Sequence, residues 1–377
     1  MPGFEVIDNA EAQAASAVFE EGGVLFAHGF DKLRKRFHVR EFENDVSEYF
    51  SSEYCQAVSS GTSGIKCALK ALGVGYKDEV ITQAFNFIAT VESIIDCGAT
   101  PIICNVDENL HLDIEDCLSR VTPKTKAILI VHMLGMAGPI GELKQLAKKL
   151  SIPIIEDTCE AIGARQGSSF LGTIADVGVF SFDHGKNITC GEGGMILTNQ
   201  KDISRYVKSY TDHGHAFEPN KSRGEDNALM PGFNYRMTEL QGAIGKAQLK
   251  KLDHILEKNI ERYSALYEQI SSCCKVRESL QDSKGSYDAL IIRSLDEATK
   301  SKIISILKSQ EIGTKNIPDA MNWHCSYYWK HALSDHEVNH SKLTYELLNN
   351  SVAIPIWLSR SIDEYTKLGH TIKSLFN

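Results

Sequence analysis

The chain has 377 residues, 42% of them apolar and 24% charged, which predicts a globular protein with a large domain and a smaller one. The net charge of −9 and the absence of a long basic run argue against a nucleic-acid-binding surface. No apolar stretch is long enough to span a bilayer, and the first residues do not resemble a signal peptide. We therefore expect a cytoplasmic protein that does not bind membranes.

Alternating helices and strands are predicted between about residues 55 and 200. The first helix has its apolar stripe at Ile65, Ala68, Leu69 and Leu72 and ends at Gly73. Further helices are predicted around 88–95, 114–118 and 140–150. Strands are predicted at 79–82, 100–107, 127–132, 152–157, 177–182 and 194–197. This alternation predicts an α/β fold with a largely parallel sheet, whose ligands bind beyond the carboxyl ends of the strands.

The chain changes character after residue 236. One long helix, or two, is predicted over 238–271, followed by a strand at 289–292, a helix at 297–310 and a final helix from Ser361. We place the large domain at 1–250 and the small C-terminal α/β domain at 251–377. The first ~20 residues could pack on either the large or the small domain.

The chain is rich in cysteines, and their positions indicate a structural use. There are ten, mostly within apolar runs, and no Cys-x-x-Cys pair occurs. We interpret them as buried reduced thiols and expect no metal site. Cys190 is the exception to watch, because it lies in a loop expected near an active site.

Three segments have the residue types that chemistry needs. Ser59–Gly64 opens the first helix and could bind a phosphate, or simply cap the helix. Asp157 ends a buried strand and could pair with a protonated ring nitrogen, or cap a turn. Lys186 lies between a buried strand and a Gly-rich turn, where a partly desolvated lysine could form a Schiff base. The alternative is an ordinary loop lysine in water.

Taken together and in this order, the motifs resemble the DegT/StrS family of sugar aminotransferases. The carrying segments are Ser-Ser-Gly-Thr at 59–62, Glu-Asp at 156–157 and Ser-Phe-x-x-x-Lys-x-x-x-x-Gly-Glu-Gly-Gly at 181–194. The resemblance extends from about residue 20 to the C-terminus. It implies a pyridoxal-phosphate (PLP) enzyme of fold type I, the aspartate aminotransferase fold, with a large, mostly parallel sheet domain and a smaller α/β domain.

The resemblance also implies roles for individual residues. Lys186 matches the Schiff-base lysine and Asp157 the partner of the pyridine nitrogen, while Phe87 matches the aromatic residue that stacks on the cofactor ring. Asn234, in Gly-Phe-Asn-Tyr-Arg, matches an Asn that reaches the phosphate of the neighbouring subunit, which implies a homodimer. The matches to phosphate contacts are Gly61, Thr62 and Ser181.

One position departs from the family pattern. Glu160 stands where many members have Gln or His beside the phenolic oxygen of PLP. An acidic residue at this position resembles the pattern of related PLP-dependent sugar dehydratases. Those enzymes have His in place of the lysine, whereas Lys186 is present here. His184 is two positions away and is no substitute. A dehydratase and a non-catalytic PLP- or sugar-binding regulator stay open as alternatives.

A narrower resemblance concerns the acceptor. Residues 1–5, 212–215, 223–224 and 322–324 resemble the subgroup that makes 8-amino-3,8-dideoxy-manno-octulosonate (8-amino-Kdo), a sugar of lipopolysaccharide. That subgroup aminates the C8 aldehyde of an oxidised acid sugar with glutamate as donor, in two half-reactions that predict ping-pong kinetics. The other possibility is a nucleotide-linked ketosugar. Candidate cationic substrate contacts are His213, His215, Arg223, Arg236 and His324, although Arg236 and His324 could be structural.

Overall fold

The computed structural model describes residues 2–376, so Met1, the first residue of the subgroup motif, lies outside the described residues. Seven strands form the central sheet: β1 (Tyr54–Val58), β2 (Glu79–Gln83), β3 (Thr100–Cys104), β4 (Thr125–Val131), β5 (Ile154–Asp157), β8 (Val177–Ser181) and β9 (Gly194–Thr198). Their order is β1-β9-β8-β5-β4-β2-β3. The pairs among β3, β2, β4, β5 and β8 are parallel, and β9 is antiparallel to both its neighbours. The sheet is therefore mixed and mostly parallel.

Helices cover both faces of the central sheet, which explains why its inner strands read as continuous apolar runs. All five residues of β8 and all four of β5 are buried. The stripe predicted from Ile65 lies in α4 (Gly61–Ala71) and packs on one face, and α7 (Ile140–Leu150) covers the other. Gly73 follows α4 with a φ of +74°, as its helix-ending position requires. The helices are α3 (His38–Phe50), α4 (Gly61–Ala71), α5 (Ala89–Asp96), α6 (Ile114–Ser119), α7 (Ile140–Leu150) and α8 (Lys201–Tyr210).

The C-terminal part is built on a second, three-stranded sheet. Its strands are β10 (Lys275–Val276), β12 (Ala289–Arg293) and β13 (Val352–Pro355), in the order β10-β12-β13. A small third sheet joins β6 (Arg165–Gln166) and β7 (Ser169–Phe170) to β11 (Ser283–Lys284). The predicted helical stretch 238–271 is two helices, α9 (Glu239–Leu249) and α10 (Leu252–Ile270). A separate apolar core holds the second sheet against α10, α11 (Glu297–Ser309) and α15 (Ile362–Lys373).

One C-terminal segment returns to the central sheet. It contains α12 (Met321–His324), α13 (Asp335–His340) and α14 (Lys342–Asn349). The Ile103 amide of β3 donates to Glu337 Oε2 at 2.6 Å, and the Val106 amide donates to Thr344 Oγ1 at 3.1 Å. The residues between β12 and β13 therefore contact both sheets, and they bring His324 to the carboxyl ends of the central strands. The division into two domains at residue 250 stays a prediction.

The N-terminal segment also touches both parts. The Gly3 amide of α1 (Pro2–Glu5) donates to the Lys186 carbonyl at 3.1 Å, and Glu5 accepts from the Leu358 amide at 2.9 Å. Helix α2 (Asn9–Glu20) packs on α9, where Glu11 hydrogen-bonds to Lys251 at 2.8 Å. Across residues 2–376, no helix combines the length and apolar character that crossing a membrane requires.

Candidate active site

A cavity of about 330 Å³ lies beyond the carboxyl ends of β5 and β8. Asp157 ends β5, Ser181 ends β8, and Gly61 opens the helix that follows β1, so residues at the ends of three strands meet in one place. Such an edge is where open parallel sheets bind ligands. The predicted site residues that line this cavity are Gly61, Thr62, Phe87, Asp157, Glu160, Ser181, Lys186 and His324.

The start of α4 is arranged to bind an anion. The Ser60 Oγ caps the helix by accepting a hydrogen bond from the Ser63 amide at 3.0 Å. The Gly61 and Thr62 amides also belong to the first turn, where amides have no intrahelical acceptor, and both residues line the cavity. A Cβ on Gly61 would lie only 2.9 Å from Ser181 Cβ, so glycine permits this close approach. Free amides at the positive end of a helix favour phosphate.

Asp157 is a buried carboxylate with two neutral donors. Its Oδ2 accepts from Thr90 Oγ1 and its Oδ1 from the Cys159 amide, both at 3.1 Å. Burial raises the pKa of Asp157, and the bonds from Cys159, the Lys186 charge and the bond from Thr90 offset only part of that rise. A cationic ring nitrogen next to Asp157 would compensate for this burial.

Lys186 and Glu160 form an ion pair in the cavity, and His324 lies beside it, where burial lowers the pKa of its imidazole. Lys186 Nζ lies 3.7 Å from Glu160 Oε1, and His324 Nε2 lies 4.0 Å from the same oxygen. Burial raises the pKa of Glu160, but the Lys186 and His324 charges outweigh it and hold that pKa at about 2. Burial lowers the pKa of Lys186, yet the carboxylate of Glu160, with smaller contributions from Cys159 and Asp157, raises it overall. Glu160 is therefore ionised at neutral pH, and Lys186 is held as an ammonium.

Glu160 is also fixed by its hydrogen bonds. Its Oε2 accepts from the Leu134 amide at 3.1 Å, and its Oε1 accepts from Asn316 Nδ2 at 3.4 Å. Phe87 lies on the same side of the cavity, with its ring centroid 5.3 Å from that of His324. Phe87 is 44% exposed, so its face is available to a ligand in the cavity.

Two arginines that were predicted to contact the substrate instead form ion pairs with a carboxylate outside the cavity. Arg223 and Arg236 both form ion pairs with Asp212, which is fully buried, and His28 Nε2 lies 3.7 Å from the same group. Burial lowers the pKa of His28 to about 4, so the cluster is two guanidinium groups on one carboxylate. Neither arginine is among the residues that line the cavity.

The other candidates of this region lie apart from the cavity as well. His213 and Asn234 are exposed, and His215 Nδ1 is 3.1 Å from Asp226 Oδ2. Asn234 pairs with Asp212 in an isolated β-bridge. Within one chain the structure therefore brings the residues of 213–236 to each other rather than to Lys186.

Two further positions have simple structural explanations. His184 stacks on the Phe4 ring at a centroid distance of 5.0 Å, so it packs on α1 instead of lining the cavity. Cys190 is buried, with its Sγ 3.1 Å from the Glu192 carbonyl oxygen, and burial raises the pKa of its thiol to about 12. Cys190 is thus an unreactive buried thiol.

Within residues 2–376, no three or more His, Cys, Asp or Glu side chains are grouped so as to hold a metal ion.

Sequence reasoning missed Thr90 and Asn316, which bind the two cavity carboxylates. Thr90 stands three residues after Phe87, so a reading of the whole 85–90 segment could have found it. Asn316 lies between β12 and β13 but outside the 322–324 motif, and only the tertiary structure places it at the site.

Comparison with known proteins decides the family. The sequence profile of the DegT/DnrJ/EryC1/StrS aminotransferase family matches residues 27–373. The chain belongs to this family. It is a PLP-dependent sugar aminotransferase of fold type I, as the motif resemblance predicts.

Relatives and solved structures agree on this family. GDP-perosamine synthase of Escherichia coli O157:H7 is 32% identical over 302 residues, which are 79% of this chain and 82% of that protein. An aminotransferase from Psychrobacter cryohalolentis has a TM-score of 0.83 at 27% identity, covering 98% of this chain and 97% of that chain. A mutant GDP-4-keto-6-deoxymannose-3-dehydratase with bound GDP-perosamine has a TM-score of 0.80 at 22% identity, covering 96% and 98%, and shares the fold.

The residues of the cavity fit PLP. The α4 amides and Ser181 would form a cradle for the phosphate. Asp157 is buried, and a pyridinium nitrogen beside it would compensate for the burial of its charge. Phe87 offers an exposed aromatic face for the ring, and Lys186 offers an amine in the same cavity. A cavity of about 330 Å³ is at the size expected for a small ligand or cofactor.

Proposed function

We propose that this aminotransferase moves an amino group from L-glutamate to a keto or aldehyde carbon of a sugar, with Lys186 binding PLP covalently. One observation carries the proposal: an amine, a buried carboxylate and an anion cradle meet in one cavity. When bound, PLP would supply the electron sink that stabilises negative charge on the donor α-carbon. Side chains of the protein would move the proton and hold the cofactor in place.

Lys186 is the group that would move the proton. Its Nζ would take a proton from the donor α-carbon and return it at the cofactor, and in the second half-reaction the direction would reverse. This requires a neutral amine, so the ammonium that Glu160 stabilises must first lose its proton. Asp157 would keep the ring nitrogen protonated, since a buried carboxylate is most stable beside a cation.

The anion cradle and the aromatic face would fix the cofactor. The Gly61 and Thr62 amides and Ser181 would hold the phosphate, and Phe87 would stack on the ring. Glu160 would lie beside the phenolic oxygen, where the Lys186 ammonium balances its charge.

We also propose a homodimer with shared active sites, in which Asn234 reaches the neighbouring subunit. This is supported by the exposed position of Asn234 outside the cavity of its own chain. Mixing Lys186→Ala and Asn234→Ala subunits tests it, because each mixed dimer would contain one intact site. Equal mixing with free exchange should restore about one quarter of wild-type activity, from half the sites in half the dimers. No restoration, with exchange shown by mass spectrometry, would count against a shared site.

The acceptor has two candidates. The E. coli relative acts in GDP-perosamine synthesis, which supports a nucleotide-linked ketosugar. The subgroup motifs support the C8 aldehyde of an oxidised Kdo-type acid sugar, a precursor of lipopolysaccharide, and His324 is the candidate substrate contact that lines the cavity. The pyridoxamine form of the enzyme, mixed with each sugar in turn, should regain the PLP absorbance with the true acceptor alone.

An absorbance spectrum before and after adding L-glutamate tests the first half-reaction. We expect the visible cofactor band of the wild type to disappear as 2-oxoglutarate forms, and Lys186→Ala to form no such band with added PLP. A dehydratase, which Glu160 alone would favour, would turn over sugar without consuming glutamate. A regulator would bind PLP without any half-reaction.

A further inference from the structure

Arg277 is a buried guanidinium from the second sheet whose side chain faces the central one. It follows β10, its amide donates to the Ile291 carbonyl of β12 at 2.8 Å, and it is 2% exposed. Its side chain donates to three backbone carbonyls rather than to a carboxylate: Nη1 to Met133 at 2.7 Å, Nη2 to Leu110 at 3.1 Å and Nε to Asn109 at 3.2 Å. Arg277 therefore joins the loops that follow β3 and β4.

Both loops contain a residue in the left-handed region. Leu110 has a φ of +60° and Leu134 a φ of +50°. Leucine adopts this conformation only where surrounding contacts compensate for its cost. Arg277 binds the carbonyl of Leu110 itself and that of Met133, which precedes Leu134, so its planar fork holds the backbone at both strained positions.

The loop after β4 leads directly to the active site. Met133 lines the cavity, and the Leu134 amide donates to Glu160 Oε2 at 3.1 Å. The other oxygen of Glu160 lies 3.7 Å from Lys186 Nζ. A continuous set of contacts thus runs from Arg277 through the 133–134 peptide to the carboxylate beside Lys186.

We propose that Arg277 is a positioning residue, which holds the 133–134 peptide so that the Leu134 amide fixes Glu160 beside Lys186. The proposal rests on the roles proposed above for Lys186 and Glu160. Burial lowers the pKa of Arg277 to about 10, so the guanidinium stays charged at neutral pH and donates all its hydrogen bonds.

A double-mutant cycle tests this proposal with PLP capture by the apoprotein. The pH midpoint of the capture rate reports when the Lys186 amine loses its proton. Arg277→Lys keeps a charge but loses the fork, and Glu160→Gln removes the carboxylate. The charged or titratable groups near this pair are Asp157, Cys159, Asp183, Lys315 and His324, which all four proteins retain.

We expect Arg277→Lys to lower the midpoint by roughly 0.5 pH unit, because a loosened Glu160 stabilises the ammonium less. In the Glu160→Gln background the same change should have no further effect. An unchanged midpoint, or equal shifts in both backgrounds, would overturn the positioning role. Arg120→Lys is the matched control, because Arg120 is a half-buried arginine that pairs with Glu337 and is not among the cavity residues. If Glu160→Gln itself shifts nothing, the role proposed for Glu160 fails first.

Gly135→Ala provides a second route should Arg277→Lys not fold. Gly135 has a φ of +78°, and a Cβ there would lie 2.7 Å from Asp288 Oδ1, so alanine displaces the same loop with Arg277 intact. The midpoint should again fall in the wild-type background and not with Glu160→Gln. Any other pattern would contradict the idea that this loop sets the position of Glu160.

Discussion

Replacing Glu160 with Gln should make Lys186 a stronger nucleophile at low pH. The Lys186 Nζ to Glu160 Oε1 distance is 3.7 Å, and both side chains are largely buried. At an effective dielectric constant of about 20, this separation corresponds to an attraction of about 4 kcal/mol between ammonium and carboxylate. That is an upper bound for the change, because the Asp157 and Asp183 charges remain.

The assay follows absorbance as the apoprotein captures PLP across a range of pH. We expect Glu160→Gln to move the midpoint of the capture rate to lower pH by about one to two pH units. The pKa of Glu160 is held at about 2, so its charge stabilises the fold above its ordinary pKa and is lost as pH falls towards 2. Measurements between about pH 6 and 9 therefore compare ionised Glu160 with neutral Gln.

A matched control separates this pair from the general charge of the cavity. Glu192 also lines the cavity but is exposed and is not among the main causes of the raised pKa of Lys186, so Glu192→Gln should shift the midpoint much less than Glu160→Gln does. A wild-type midpoint for Glu160→Gln would refute the electrostatic reasoning, and so would equal shifts in both variants.

Three other substitutions test the remaining parts of the site. Thr90→Val removes the 3.1 Å bond to Asp157 and should weaken PLP affinity roughly three- to tenfold in fluorescence titrations, since a lone neutral hydrogen bond is worth about 1 kcal/mol. Gly61→Ala places a Cβ 2.9 Å from Ser181 Cβ and should cost about 1–3 kcal/mol in urea unfolding as well as weaken PLP binding. Asp288→Asn leaves the buried ammonium of Lys315 without its carboxylate and should cost about 3–5 kcal/mol in the same unfolding assay, whereas wild-type stability would contradict the buried pair.

The motifs at the strand ends were predictable because local sequence alone places them. Asp157 and Lys186 lie at or just after buried strands, and parallel strands bring such positions to one edge of the sheet. Asn316 and Arg277 were not predictable, because each acts through backbone or side-chain partners far away in the chain. Neither residue belongs to a recognised motif, and periodicity cannot show which loops meet.

The region 213–236 shows why the function of a charged residue cannot be predicted from its type alone. Its histidines and arginines are the residue types that bind an acidic substrate. The sequence shows that these residues are basic, but it does not show which carboxylates they pair with. In the structure Asp212 binds both Arg223 and Arg236, so the two strongest cations are already paired within the chain. Whether a second subunit uses the exposed Asn234 is the question that the mixed-dimer experiment answers.

Reduction of the PLP-loaded protein with borohydride, followed by peptide mass spectrometry, tests the central claim most directly. Reduction converts the covalent link to the cofactor into a stable secondary amine and so marks the lysine that holds it. The account predicts the added mass on the peptide containing Lys186 and nowhere else. A label on Lys315, which is buried nearby, on any other lysine, or on none, would contradict it.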